Sequence, residues 1–188
     1  GAKVIHREAV DIVAGSNIPM RILNTFSDDE GTLIAGTVPI LDSETGNDVI
    51  SSVVLMNNRT QVTIARVGKV LEQNILENLA CNKISIDLIN IFTDRIVFTV
   101  DSQDAAKVKD MLDSMRIEST YIGNCSKVTA VGSKMRGVPG VMARIFKTLN
   151  THGCEILQSA DSHMNISCLV STDDAHRAVK AIHEEFNL

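Results

Sequence analysis

Ile84-Ser85-Ile86-Asp87-Leu88-Ile89-Asn90, followed by Arg95-Ile96-Val97-Phe98-Thr99-Val100, returns seventy positions later as Cys154-Glu155-Ile156-Leu157-Gln158-Ser159-Ala160 and Asn165-Ile166-Ser167-Cys168-Leu169-Val170. The correspondence runs without a gap from 75–112 to 145–182. Ile75 and Leu79 fall on Ile145 and Leu149, Ala105 on Ala175, and Leu112 on Ile182. A repeat of this length is too long for a solenoid unit and suits a small α+β module used twice. Function is to be sought in what differs between the copies and where they meet.

Around this stretch the first copy reads as strand (Val62-Thr63-Ile64), helix (Val70 to Leu79), two strands (84–89 and 95–100), helix, and a last strand from Ile117 to Ile122. Leu71, Ile75 and Leu79 share one helical face, and Ser102 is the predicted cap of the second helix. The second copy repeats the pattern with strands at 128–131, 156–160 and 165–170. Its first helix has Pro139 in the first turn and Gly153 at the end; its second is capped by Thr172, with Asp173 and Asp174 in the first turn. The βαββαβ order predicts a ferredoxin-like module, a four-stranded antiparallel sheet with both helices on one side.

Two differences separate the copies. The strand at 117–122 has no counterpart, because the chain ends at Leu188. A module lacking it exposes an unpaired edge, and Ile50-Ser51-Ser52-Val53-Val54-Leu55-Met56 is the one unassigned strand-like run. Residues 50–56 are therefore predicted to complete the second sheet. The domains are then 58–124 for the first module and 50–57 plus 125–188 for the second, after a separate segment at 1–40. Second, the first strands align at an offset of sixty-six, so the second copy carries four extra residues, in the loop Gly132-Ser133-Lys134-Met135-Arg136-Gly137-Val138-Pro139-Gly140. Upstream, Arg7 to Ala14 reads as a helix closed by Gly15, Ile18 to Leu23 as a short strand, and Gly36 to Asp48 as a connector.

Composition narrows the function classes. Hydrophobic content of 44% and charged content of 22% are ordinary for a globular chain. Aromatics at 3% with no Trp leave the cores to aliphatic residues. A net charge of −5 lacks the basic footprint of a nucleic-acid surface, and the strands lack the stacking aromatics of an RNA-binding sheet. No apolar run approaches a membrane span. Cys81, Cys125, Cys154 and Cys168 form no CxxC pair, which suits reduced thiols and a cytoplasmic setting. Asp161-Ser162-His163 holds triad residue types, but consecutive residues cannot adopt triad geometry. Val138-Pro139 stands where a phosphate-binding loop needs Lys and Ser/Thr. His152, His163, His176 and His183 have no metal-ligand spacing. No catalytic residue and no metal site are assigned.

The loop from Gly132, followed by Val141-Met142-Ala143-Arg144-Ile145-Phe146, resembles the strand–loop–helix signature of ACT domains, small ligand-sensing βαββαβ modules. Gly1-Ala2-Lys3-Val4-Ile5-His6 and Phe26-Ser27-Asp28-Asp29-Glu30-Gly31-Thr32-Leu33-Ile34 resemble the end of an aspartokinase catalytic domain. Ser85 to Phe92 and Ile156 to His163 are similar to the diaminopimelate-sensitive Gram-positive type. The resemblance implies a kinase-domain remnant followed by a tandem ACT regulatory region, and it covers essentially the whole chain. Arg66-Val67-Gly68-Lys69 departs from it, standing where many relatives carry an Asp-x-x-Gly loop that binds threonine or lysine.

A free amino acid needs donors for its carboxylate, and a glycine-rich loop opening a helix supplies backbone N–H groups without intrahelical partners. The candidate effector site is Lys134, Met135, Arg136, Gly137, Val138, Gly140 and Val141, with Gln158, Ser159 and Asp161 facing the ammonium group. Lys134 or Arg136 is the expected partner of a second carboxylate. Asn90, matching Ala160, is either a further contact or a strand-end polar residue. The glycines also admit a second reading, in which they only shape a turn. The resemblance implies diaminopimelate, lysine or threonine as effector, a homodimer through the ACT domains, and a kinase domain or catalytic subunit as partner. ATP and Mg belong to the intact kinase, where Lys3 would approach the nucleotide; no cofactor and no kinase activity are expected of this chain alone. The alternative is a free-standing regulatory subunit acting through protein contact.

Overall fold

The computed structural model describes residues 5–27, 29–34, 49–132, 135 and 138–188. The chain divides into two compact units, 1–46 and 47–188. In the first, α1 (Arg7–Gly15) precedes a two-stranded antiparallel pair, β1 (Met20–Ile22) and β2 (Thr32–Ile34), with Met20 opposite Ile34. The connector predicted at 36–48 lies outside the described residues.

The second unit is built on β3 (Ser52–Ala65), α2 (Lys69–Cys81), β4 (Leu88–Ile91), β5 (Arg95–Asp101), α3 (Ala105–Ser114), β6 (Ser119–Val131), α4 (Val141–Thr151), β7 (Gln158–Asp161), β8 (Asn165–Ser171) and α5 (Thr172–Phe186). The strands form one sheet in the order β4-β5-β3-β6-β8-β7. Its left part, β4-β5 with the second half of β3 and the first half of β6, is one ferredoxin-like module. Its right part is the other. Residues 52–56 do complete the second module: Val53 pairs with Ala130 and Leu55 with Val128. Ahead of them, Ser51 N donates to Val131 O at 2.7 Å. Gly132 must be glycine for this approach, since a Cβ there would lie 1.9 Å from Val49 O.

The two runs predicted as separate strands at 50–56 and 62–64 are one strand, and so are those at 117–122 and 128–131. Each long strand serves both modules. Each also carries an irregularity between its halves, where the register slips past Asn58 (φ 59) and Asn124 (φ 54), with Arg59 opposite Cys125 between the slips. One extra residue reverses which side chains face which way. Val53 and Leu55 therefore pack in one core, while Val62 and Ile64 pack in the other.

Each core lies between its sheet and its two helices. In the first, Ile75 and Leu79 of α2 and Val108 and Leu112 of α3 meet Val62, Phe98 and Val100. In the second, Ile145 and Leu149 of α4 and Ala178, Ile182 and Phe186 of α5 meet Val128, Cys168 and Val170. Several local expectations shift. The stretches 84–87 and 156–157 precede their strands instead of forming them. Ser102 does not cap α3, because its hydroxyl bonds Thr60 Oγ1 at 2.9 Å. The cap of α5 is Ser171, which accepts from Asp173 N; the Thr172 hydroxyl bonds Ser126 instead. Pro139 lies in the turn before α4, not within it.

The helix-free faces of the modules meet in two seams. In one, Leu88, Leu169 and Cys125 are buried together, against Leu157 and Ala160. In the other, polar side chains cross from module to module.

Candidate functional site

The site predicted in the second module starts at α4. Lys134, Arg136 and Gly137 lie outside the described residues. Met135 and Val141 are 7% and 6% exposed and belong to the second core, so their side chains anchor the loop. Val138 is exposed and its N–H donates to Met135 O at 3.2 Å, closing a turn. Gly140 takes the left-handed conformation (φ 92) that side chains disfavour. The first intrahelical bond runs from Arg144 N to Gly140 O at 2.9 Å, and no side chain caps the helix. The N–H groups of Val141, Met142 and Ala143 therefore have no intrahelical acceptor, leaving a short row of donors at the positive end of the helix dipole.

Strand alternation divides the residues expected opposite this helix start. Directly opposed residues on neighbouring strands share a face. Ser159 is opposite Cys168, and Asp161 opposite Ile166, both core residues, so these two side chains lie on the helix side. Gln158 is opposite Leu169 of the seam and faces the other module. Asn90 joins it there. The structure thus brings Asn90 and Gln158 together and puts the side chains of Ser159 and Asp161 on the other, helix-bearing face of the sheet.

Gln158 is 7% exposed and all four hydrogen-bonding positions of its amide are used. Oε1 accepts from Thr99 Oγ1 at 2.9 Å and Gln61 Nε2 at 3.2 Å. Nε2 donates to Asn90 Oδ1 at 2.7 Å and Val97 O at 3.3 Å. Asn90 Nδ2 in turn donates to Ser159 O at 3.3 Å, and Gln61 Nε2 to Leu157 O at 3.3 Å. A buried amide with every position satisfied fixes the relation of the parts it joins. The repeat gives the opposite seam different groups: Leu88 stands where Gln158 does, Leu169 where Thr99 does, and Lys127 where Gln61 does. There the crossing contact is an ion pair from Lys127 Nζ to Asp87 Oδ1.

At the start of α2, the counterpart of α4 in the first module, the chain supplies a carboxylate of its own, though no side chain caps the helix. The Glu72 carboxylate takes Arg66 Nε at 2.6 Å and Nη2 at 3.0 Å, and accepts from Val67 N at 3.2 Å. Arg66 Nη1 also donates to Phe92 O at 2.7 Å. The Arg66 guanidinium, helped by the backbone N–H groups of Val67 and Gly68, holds the Glu72 carboxyl below the usual glutamate range. Glu72 therefore puts a carboxylate beside the start of α2, held by Arg66 and Val67 N, while the helix itself has no side-chain cap. The repeat puts Met142 at the corresponding position of α4. Sequence reasoning missed Glu72 and Gln61. The pairing of Arg66 with an acidic residue one and a half turns later, and the polar residues at 61 and 158, were the signals.

All four cysteines are free thiols. Burial pushes Cys168 up to about 12, so it is an inert core thiol. Among the described residues no His, Cys, Asp and Glu group has the geometry to hold a metal ion, and no helix is long and apolar enough to cross a membrane. Lys3 lies outside the described residues.

Residues 128–186 match the family model described as ACT domain. Over 194 aligned residues the chain is 36% identical to aspartokinase 1 of Bacillus subtilis, covering 100% of this chain and 47% of that protein. Aspartate kinase of Clostridium acetobutylicum, a solved structure, superposes with a TM-score of 0.83 at 25% identity, over 100% of this chain and 46% of that one. A chain from the structure of aspartokinase alpha and beta subunits superposes with a TM-score of 0.69 at 26% identity, over 74% of this chain and 99% of that one. The chain spans about half the length of the curated relatives it matches.

Proposed function

We infer that this chain is a regulatory region of the aspartokinase type, built on ACT modules, and that it binds a free amino acid at the start of α4 and relays the binding to a kinase domain. The observation that carries this reading is the contrast between the two helix starts. Both helices open on a positive-φ glycine without a side-chain cap, yet beside the first a carboxylate, Glu72, is already held by Arg66 and Val67 N, while the second has Met142 at that position and no carboxylate of its own there. A ligand carboxylate would take the place in the second module that Glu72 takes in the first. Ser159 and Asp161 would receive the ammonium group, and Lys134 or Arg136 a second carboxylate. Diaminopimelate, lysine and threonine are the effectors to test.

Feedback requires the effector to bind one arrangement of the protein better than another, and the coupling is reciprocal, typically about 1–3 kcal/mol. The long strands β3 and β6 suit such coupling, because each belongs to both modules. The kinase reaction, with its ATP, magnesium and aspartate, is assigned to a catalytic domain or subunit in a cytoplasmic setting. A homodimer fits the exposed edge of the first module. Ile89 and Ile91 on β4 are exposed, and β4 is the last strand of the sheet. A second reading, a free-standing regulatory subunit, is favoured by the aspartokinase subunit chain that this one covers over 99% of its length.

Calorimetric titration with diaminopimelate, lysine and threonine tests the proposal. Saturable heat with one of them, lost when Met142→Glu closes the start of α4, is the expected result. Silence with all three would leave the subunit reading in possession.

A further inference from the structure

The polar seam is not filled by its own side chains. Between the helix-free face of the first module and the segment entering β7 lies a cavity of about 550 Å³, lined by Gln61, Asn90 and Arg95 on one side and Phe146, Ile156 and Gln158 on the other. This is within the usual range of about 300–1,000 Å³ for small-ligand sites. Its residues come from both modules of one chain, and it meets the second module at Phe146 in the middle of α4 and at Ile156 and Gln158, not at the start of that helix. We propose that this cavity is a second ligand site, for a linear carboxylic acid bearing an amino group at its far end.

Three observations specify the ligand. Arg95 brings a cation to the cavity without a committed partner. Its contact with Asp94 is long, at 3.5 Å, and both side chains are more than half exposed, so that contact holds it weakly. The guanidinium sits 5.4 Å from the Phe92 ring centre, which steadies it without neutralising it. An arginine so placed suits a carboxylate, which it can hold through two parallel hydrogen bonds.

At the inner end is Gln61, 5% exposed. Its Nε2 is committed to Leu157 O and Gln158 Oε1. Its Oε1 meets no donor among the described residues and is not sealed from solvent, so an acceptor is left at the cavity wall for a ligand amine. The two groups are far apart. Arg95 is opposite Ala65, and Gln61 is four residues back along β3, about 13 Å at roughly 3.3 Å per residue. Even with the arginine side chain reaching inward, the carboxylate and donor must be separated by several methylenes. Val97, Phe146 and Ile156 supply the apolar wall for such a stem.

The opposite seam is the internal control. There the repeat puts Leu88, Leu169 and Asn165 where this seam has Gln158, Thr99 and Arg95. The result is an apolar contact sealed by one ion pair. The fold therefore does not require buried amides, and where it carries a cation between its modules that cation is paired. A polar seam with a cavity is an added feature, and a ligand in it would touch both modules at once.

The test titrates the full 188-residue chain with 6-aminohexanoate, L-lysine and L-norleucine, by calorimetry, in the unsubstituted protein and in Arg95→Gln and Met142→Glu. The 6-aminohexanoate probe has the two ends the cavity needs but no α-amino group for the start of α4. Expected are saturable binding of 6-aminohexanoate at one site per chain, none of norleucine, and loss of about tenfold or more in affinity with Arg95→Gln, as for a charge-assisted pair. Met142→Glu should leave that binding intact. Unchanged affinity in Arg95→Gln, equal binding of norleucine, or no binding of 6-aminohexanoate overturns the proposal. Binding of lysine lost only in Met142→Glu would do so too, while leaving the α4 site standing. Arg95 is exposed, so its replacement should keep the melting temperature of the free chain, which the same samples can confirm.

Discussion

The start of α2 and the start of α4 are the same place in two copies of one fold, and the chain treats them in opposite ways. At α2, Glu72 turns back to Arg66 and the backbone of Val67, setting beside the helix start a charge the protein carries itself. At α4, Met142 occupies the corresponding position and brings no carboxylate, although both helices open on a glycine without a side-chain cap. The seams differ in the same spirit, one sealed by Leu88, Leu169 and the Lys127–Asp87 pair, the other bridged by Gln158. Duplication preserved the core positions, which packing constrains, and released the helix starts and seam positions. One copy used that freedom for self-sufficiency. The other left donors and a cation available.

The largest expected effect is at the ion pair. Lys127→Met should destabilise the chain by about 3 kcal/mol, since it leaves Asp87 largely buried without its countercharge. Asp87 Oδ2 already has no hydrogen-bond partner among the described residues. Adding Asp87→Leu should recover most of the loss, because the surroundings are already apolar. Urea unfolding of the two variants checks this, and a double variant as weak as the single one would mean the pair does not seal the seam. Next comes Gln158→Leu, which imposes the residue of the opposite seam. It strands Thr99, Gln61 and Asn90, and should cost about 2 kcal/mol. Adding Thr99→Leu should return part of it. If the two seams are interchangeable solutions, the double variant approaches the parent in stability; if it does not, the amide network is more than a connector.

Much of this contrast could be read from residues. The seventy-residue offset identified the modules, and the missing last strand identified 50–56 as its replacement, of which 52–56 lie in β3. Hydrophobic periodicity fixed α2, α4 and both cores. The fusion of two predicted strands into β3, and of two into β6, was harder, because Asn58 and Asn124 look like turn residues. Yet their spacing of sixty-six, the offset of the first strands, was a legible hint that both strands irregularly continue. The grouping of Gln158 with Ser159 failed for a different reason. Sequence adjacency suggested one site, but alternation along β7 sends adjacent side chains to opposite faces. Polar partners such as Gln61 and Asn90 meet only through tertiary contact, and no local pattern announces them. The caps slipped by a residue, from Thr172 to Ser171, since both hydroxyls are competent and packing against Ser126 decides between them.

Converting one helix start into the other sharpens the comparison at a smaller energy. Met142→Glu should lower effector affinity by about tenfold or more, equivalent to roughly 1.4 kcal/mol, by placing a carboxylate where the ligand's would go. The same change should raise the melting temperature slightly, because an acidic residue in the first turn complements the helix dipole. A stabilised variant with undiminished affinity would place the effector elsewhere.

The smallest effect is a dependence on pH at the Arg66–Glu72 pair of the first module. Arg66 holds the Glu72 carboxyl below its ordinary value, so folding favours the ionised form. The stabilisation is fully present above the unfolded-state value, near 4.3 for a glutamate, and is lost as pH falls through the lower folded-state value. The parent and Glu72→Gln should therefore differ by a constant amount near neutral pH, and the difference should shrink as the solution is acidified through the carboxylate range. The pair is close to solvent, so the difference should be small and should narrow further with added salt. Thermal melts of both proteins at descending pH, at low and high ionic strength, read this directly. A gap that survived both acid and salt would mean that Glu72 closes the start of α2 by packing, not by charge. The open start of α4 would then no longer follow from the absence of a carboxylate at Met142.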